Sequence, residues 1–431
     1  MRRRIEKRKS LITVIHNTGW LLGFQALKMV FGLLVGAWVA RYLGPSQYGE
    51  LSYVLAFVAF FQTISLLGLN AIAIRDMAKN REASHVILGT VFRLRLFAGL
   101  LCWLCAVGSM AIFRPGDTNT LVLTAIVAGT MIFQASETID LWFQSQTQSK
   151  RTVLSKTLAY IIISLAKVVL ILVKAQLIYF AVAGLLEFVL ASIALSFSYR
   201  IFPAPLKWHW DIEIGIRLLK ESWPYMFSSI AIIIYMRIDQ IMLREMLGIH
   251  ELGIFSAAMP LSTTWYFIPM MISQSVGPSI AIKKDSDPVR YDLYIDRLFS
   301  LIWWIMIPIS VLIALFSHMI VRILYGETYL ASATVLAIHI FANIPVGLGV
   351  MQSIWIVNEQ KNTLSLAKTI TGAVTNIGLN LYLIPKYGAI GAAVATVLSQ
   401  MMSSVFSNIA FAPKIFKRQF TSLVAIRLIE K

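Results

Sequence analysis

The chain has 431 residues, 58% of them hydrophobic and 14% charged, with a mean hydropathy of +0.74 and a formal net charge of +17. A chain this apolar cannot hide its surface as a water-soluble globule, which excludes the soluble enzyme classes and makes a bilayer its solvent. The positive charge would suggest nucleic acid if it were gathered on a polar domain, but its distribution along the chain argues against that partner.

The opening stretch MRRRIEKRKS is a dense basic cluster with no small-residue cleavage site after the first apolar run, so it reads as a cytoplasmic anchor and not as a signal peptide. A spanning helix needs ~20 apolar residues. Such helices are predicted in the first half at residues 17–40, 48–68, 86–112, 120–143, 153–173 and 177–198. The second half gives 222–243, 251–281, 298–321, 330–356, 364–384 and 389–412. Cys102 and Cys105 lie in an apolar helix without polar partners, and packing is their expected role. Pro260, Pro269 and Pro278 predict kinks in the eighth helix, and Trp303 and Trp304 predict interface anchors at the start of the ninth.

With the N-terminus inside, the cytoplasmic loops and tails hold 25 of the Lys and Arg residues and the outer loops hold 6. That is the positive-inside bias, and it places both termini in the cytoplasm. The basic segment 200–220, with Pro203 and Pro205, is the natural linker between an N-terminal bundle, residues 1–199, and a C-terminal bundle, residues 221–431.

The two halves repeat. Leu43, Gly44, Gly49 and Ser52 match Leu247, Gly248, Gly253 and Ser256 at an offset of 204. Further on the offset is 212: Gln148 falls on Gln360, Leu154, Lys156 and Thr157 on Leu366, Lys368 and Thr369, and Ala181-Val182-Ala183 on Ala393-Val394-Ala395. Six helices separate the copies, so the repeats are parallel, related by an axis along the membrane normal. Transporters built this way carry substrate between the halves by alternating access. The expected fold is therefore all-α and integral to the membrane, with about 12 transmembrane helices in two six-helix bundles around a central cavity.

Seven cations fall inside predicted spans: Lys28, Arg93, Arg95, Lys156, Lys167, Arg237 and Lys368. An unpaired charge at the bilayer centre costs at least ~2.5–3.5 kcal/mol, so such residues should face a hydrated interior unless they snorkel from a helix end. Lys28 lies near the middle of its helix with Gln25 on the same face, and this stripe is the leading candidate for contact with an anionic substrate. Arg93 and Arg95 are two apart, so at most one should line a pathway. Lys156 and Lys368 are followed by Thr in corresponding helices, and Arg237 shares the seventh helix with Asp239. Substrate candidates are thus Lys28, Gln25, Arg93, Lys156, Arg237 and Lys368. Candidates for cation coupling are the few intramembrane acids, Asp239, Glu187, Asp140 and Glu137.

Arg41-Tyr42-Leu43-Gly44-Pro45 with Tyr48-Gly49 resembles the hallmark after the first helix of Wzx-type polysaccharide flippases, in the multidrug/oligosaccharidyl-lipid/polysaccharide exporter superfamily. Arg237-Ile238-Asp239-Gln240, Leu324-Tyr325-Gly326 with Tyr329, and the run Tyr387-Gly388-Ala389-Ile390-Gly391-Ala392-Ala393 are similar to that family too. The resemblance implies a MATE-like fold and translocation of an undecaprenyl-pyrophosphate-linked O-antigen or exopolysaccharide unit across a bacterial inner membrane. It also implies membrane lipids, a polysaccharide polymerase and a chain-length regulator as partners, with H+ or Na+ as candidate coupling ions. A multidrug exporter of the same superfamily is the alternative, weakened because the first helix carries Lys28 and no acid. A membrane glycan polymerase or ligase is a further alternative. It would need an external loop with catalytic groups, whereas the outer loops are short and the six histidines scattered. No P-loop or other cofactor motif is present, so neither ATP hydrolysis nor a cofactor is expected.

Overall fold

The computed structural model describes the backbone of residues 2–202 and 207–424, without the side chains of residues 2–22, 24, 26, 278, 362 and 424. Pro203 and Pro205 of the expected linker, the side chains of the N-terminal basic cluster, and Arg427 and Lys431 lie outside the described residues. Every regular element among the described residues is helical. The first half forms α1 (Arg2–Ser65), α2 (Asn70–Lys79), α3 (Ser84–Phe113), α4 (Thr118–Ala128), α5 (Thr130–Gln134), α6 (Glu137–Ser145), α7 (Ser149–Leu172) and α8 (Leu177–Ile201). The second forms α9 (Ile212–Leu247), α10 (Ile249–Thr263), α11 (Phe267–Ser286), α12 (Pro288–Tyr325), α13 (Ala331–His339), α14 (Asn343–Asn358), α15 (Asn362–Met401), α16 (Ser407–Phe411) and α17 (Pro413–Val424).

Nine stretches among the described residues are long and apolar enough to cross a membrane. Two of them are double. A straight 64-residue α1 would run about 96 Å, three times a ~30 Å hydrocarbon core. It breaks at Gly44, whose φ of 72° and ψ of 169° are open to glycine and costly for other residues. Gly388 breaks α15 in the same way, at φ 58°. The remaining crossing is α10 with α11, where a 3-10 turn at Thr264–Tyr266 interrupts the helix. Pro269, four residues after Trp265, has no N–H for that carbonyl, which accounts for the kink expected in the eighth helix. Twelve crossings result, and the all-α transporter architecture read from the sequence is borne out.

The turns carry the repeat in their backbone. Gly248, matched to Gly44, has φ 96° and ψ −178°. Thr147 and Gln360 end corresponding helices at φ 55° and 56°, so that at this turn Gln360 corresponds in backbone to Thr147 and not to Gln148. Each is followed by the same closure, with Gln148 N donating to Phe143 O at 2.8 Å and Lys361 N to Ile356 O at 2.9 Å.

Large apolar side chains such as Phe97 (71% exposed), Ile112 (78%) and Leu172 (76%) point outward, as a bilayer solvent requires, while polar side chains collect inside. Two short helices were not expected. On α2, Asp76 and Arg75 join Arg217 and Glu221 of α9 in a ring of ion pairs 2.6–3.2 Å long. On α17, Arg418 reaches Asp292 of α12 at 2.7 Å. Trp303 is a correction. It is buried and donates its indole N–H to Gln419 O of α17 at 2.7 Å, leaving only Trp304 exposed enough to anchor an interface.

The chain separates into two compact units: residues up to Tyr42 with Val54–Ile233, and Leu43–Tyr53 with the residues from Ile234 onward.

Candidate functional site

In the first unit a cleft of about 160 Å³ is lined by Gln25, Lys28, Glu137, Lys156, Tyr160, Glu187, Phe188 and Ala191. Four of the residues singled out by charge in α1, α6, α7 and α8 therefore converge, and Gln25 joins them. Lys28 comes from mid-span in α1, its Nζ 4.0 Å from Glu187 Oε1 and its side chain half exposed to the cleft. The ammonium lies 5.4 Å from the centre of the Tyr160 ring, and the Tyr160 hydroxyl donates to the Lys28 carbonyl at 3.1 Å. Glu187 is shared, since Lys167 Nζ approaches its other oxygen at 3.8 Å. Lys156 is held more firmly, 2.7 Å from Asp140 Oδ2 and 3.4 Å from Glu137 Oε1, with Gln144 Nε2 donating to Asp140 Oδ1 at 3.0 Å.

Arg93 is exposed and does not join this group. Two residues on, Arg95 is the buried one: it donates to Asn70 and lies in the field of Glu137 and Asp140. The buried group thus has four cations, Lys28, Arg95, Lys156 and Lys167, against three carboxylates. Two cations sharing one carboxylate over 3.8–4.0 Å leave Lys28, the more exposed, with charge to offer an anion.

The second unit carries the matching lysine in a different setting. Lys368 is buried and donates to Gln352 Oε1. Gln352 occupies the position of Asp140 at the same offset of 212, and each lysine takes its partner from 16 residues upstream. Gln352 continues through Asn408, at 2.8 Å, to Gln419 of α17, at 3.0 Å, so amides replace carboxylates throughout. A five-residue π-helical turn, Met402–Phe406, places the Ser403 hydroxyl 3.0 Å from the Lys368 carbonyl.

Asp239 and Arg237 do not pair. Among the described residues Arg237 donates to Gln240 Oε1 at 3.5 Å, and it lies near the Tyr48 hydroxyl. Asp239 is buried against α15, accepting from Asn380 Nδ2 at 2.7 Å and from the Thr396 hydroxyl at 2.5 Å. Asn380 also donates to Asn376 Oδ1 at 3.0 Å, while its own Oδ1 is buried with no partner. The single Thr396 hydroxyl hydrogen stands between Asp239 Oδ2 and the Ala392 carbonyl, 2.9 Å away. Each oxygen of this buried carboxylate thus accepts from a neutral donor, one amide and one hydroxyl. Sequence reasoning named Asp239 and missed Asn376, Asn380 and Thr396; their one signal was the placement of polar residues four apart along α15, at 376 and 380.

The turn motifs also meet. A Cβ on Gly49 would lie 2.1 Å from the Ile249 carbonyl oxygen, and one on Gly253 would lie 1.9 Å from that of Pro45. The two repeat-matched helix starts cross glycine to carbonyl, reciprocally. Tyr48 rests edge-on against Tyr329, with ring centres 6.5 Å apart.

The family model described as Polysaccharide biosynthesis protein matches residues 14–283. The chain belongs to that family. A second model, Lipid II flippase MurJ, matches residues 259–429. A protein of Shigella flexneri named for O-antigen transport is 21% identical over 413 residues, spanning 89% of this chain and 94% of the relative. Among solved structures, the lipid II flippase MurJ in an inward closed conformation matches with a TM-score of 0.73 at 16% identity, over 95% of this chain and 91% of that one. An inward-facing multidrug resistance MATE family transporter of the MOP superfamily follows at 0.68 and 16%, over 92% and 96%. At these identities the structures establish the fold. The resemblance to polysaccharide flippases seen in the turn motifs is borne out by the family match.

Proposed function

We propose that this protein is a flippase. Its substrate is an undecaprenyl-pyrophosphate-linked O-antigen or exopolysaccharide repeat unit, moved by alternating access from the cytoplasmic to the periplasmic leaflet of the inner membrane, with both termini in the cytoplasm. The observation that carries this reading is Lys28: a half-exposed ammonium at mid-span that lines the cleft and shares its one carboxylate partner, Glu187, with Lys167. A diphosphate is the natural complement of such a site, and Gln25 and Tyr160 beside it suit the first sugar. The polyprenyl tail needs no cavity, because it can stay in lipid throughout.

An inside-negative potential drives an anion outward by ~2.3 kcal/mol per charge per 100 mV. An ion gradient is the second source of energy, with the buried carboxylate of Asp239 as the group where Na+ or H+ binds and is released as the transporter changes state. The delivered unit is the substrate of a polymerase and a chain-length regulator acting outside.

The test is complementation of a flippase-null strain at matched membrane levels. Lys28→Ala should abolish export of lipid-linked units and Lys28→Arg should retain part of it. Full activity in Lys28→Ala would remove the anion contact from this lysine and sink the reading of the cleft.

A further inference from the structure

The second unit has another opening, unrelated to the charge network. Helices α11 and α12 are joined by a turn at Asp287, and between them runs a cleft of about 220 Å³. Val276, Ile280, Leu298 and Leu301 form its apolar wall, and Ser279, Lys283, Tyr294 and Arg297 complete it. Residues 276, 280 and 283 share one face of α11, and 294, 298 and 301 one face of α12. The polar groups are graded along it. Lys283 and Tyr294 stand nearest the turn and Arg297 one helical turn further in, while Val276 and Leu301 lie at the far end. Lys283 forms no ion pair among the described residues, whereas its neighbour Lys284 is taken up by Glu359 at 3.5 Å.

The acids of this hairpin are largely committed elsewhere. Asp287 caps α12 and pairs with Arg290 at 3.2 Å, and Asp292 and Asp296 accept from Arg418 at 2.7 and 3.5 Å. The mouth carries Lys283 and Arg297, with an apolar slot behind them. That order matches an anionic lipid lying in the leaflet, with its phosphate at the mouth and its acyl chain alongside Ile280 and Leu298. The volume is below the ~300–1,000 Å³ of pockets that enclose a whole ligand, so only the head of a lipid and the first part of one chain are held. Basic pockets between transmembrane helices on the cytoplasmic side are where anionic head groups bind.

We propose that the α11–α12 cleft is a binding site for an anionic phospholipid of the cytoplasmic leaflet, held by Lys283 and Arg297. The same hairpin carries α17, whose Ile415, Gln419 and Ser422 are buried against the bundle while Lys414, Lys417 and Phe420 are exposed.

The experiment uses the full-length purified protein and native mass spectrometry, comparing phosphatidylglycerol with phosphatidylcholine of the same acyl chains. Phosphatidylglycerol should be retained preferentially. Lys283→Gln should weaken that preference about fivefold and Lys283→Gln with Arg297→Gln about thirtyfold, while Lys283→Arg with Arg297→Lys should keep most of it. Ile280→Trp, which fills the apolar end and leaves both charges, should also lower retention. The comparison variant is Lys414→Gln with Lys417→Gln, which removes two cations of the same face outside the cleft. Equal loss from that variant would mean a general surface attraction and overturn the site. Displacement of phosphatidylglycerol by undecaprenyl pyrophosphate at equal concentration would also overturn it, assigning the cleft to the transported lipid instead.

Discussion

The reciprocal glycine contact gives the sharpest test of the fold's working parts. Gly49→Ala would place a methyl group 2.1 Å from the Ile249 carbonyl oxygen and 2.9 Å from Gly253 N, where ordinary contact begins at 3.4 Å. The neighbours are backbone atoms and have no rotamer to change, so one helix must move by about 1.3 Å relative to the other. Forced overpacking of this kind costs ~1–3 kcal/mol. A transporter that passes through this packed arrangement once per cycle would then populate it 5- to 150-fold less. Gly253→Ala should do the same from the other side, through Pro45. The double variant should cost less than the sum, because the first displacement makes room for the second methyl. Export normalised to membrane protein, together with the thermal inactivation midpoint in detergent, measures both effects. Gly36→Ala is the reference, since nothing lies within 4 Å of its added Cβ. If Gly49→Ala matches Gly36→Ala in both measurements, the crossing does not constrain the cycle and the reasoning fails.

Asp239→Asn keeps the hydrogen-bonding size of the side chain and removes the charge that would hold a cation. Export in right-side-out vesicles should then lose its dependence on an imposed Na+ or H+ gradient while still responding to membrane potential; unchanged gradient dependence would move coupling to Glu137, Asp140 or Glu187. In a variant without Cys102 and Cys105, single cysteines at Ser46 and Glu327 should react with a membrane-impermeant thiol reagent in cells whose outer membrane admits it. Cysteines at Lys79 and Lys361 should stay protected, and equal labelling of the two pairs would overturn the placement of both termini in the cytoplasm.

The spans were legible because a bilayer imposes a length on every helix, and the glycine turns because a sharp turn imposes a residue. Gly44 and Gly248 could be paired from sequence for that reason, and they share a backbone conformation. The cations were legible because charge in lipid is costly, and Lys28, Lys156 and Lys368 all find polar surroundings. What surrounds them was not legible. Gln352, Asn376, Asn380 and Thr396 are neutral, cost little at any depth, and so carry no signal of which charge they serve. Arg93 and Arg95 could not be separated, because two-residue spacing says that they diverge without saying which one turns inward. The helices α2 and α17 escaped because both are too short and too polar to register as spans; α2 is fixed by the ring of ion pairs to α9, and α17 by Trp303 and Arg418.

The duplication did not keep its two copies equivalent, and the divergence follows a physical rule. Lys156 retains two carboxylates, and removing one partner of such a pair inside a protein is strongly destabilising, since it strands the other charge. At Lys368 the corresponding partner is the neutral Gln352, and a chain of amides through Asn408 to Gln419 continues from it. Acidic charge in the second unit's interior is instead found at Asp239, surrounded by oxygen and amide groups and without an ion-pair partner among the described residues. A repeated framework has thus been divided by charge. The first unit gathers three ammonium groups and the Arg95 guanidinium around three carboxylates, and the second holds a carboxylate among neutral donors. Opposite charges placed in separate copies do not cancel one another's field, as they would side by side in one copy.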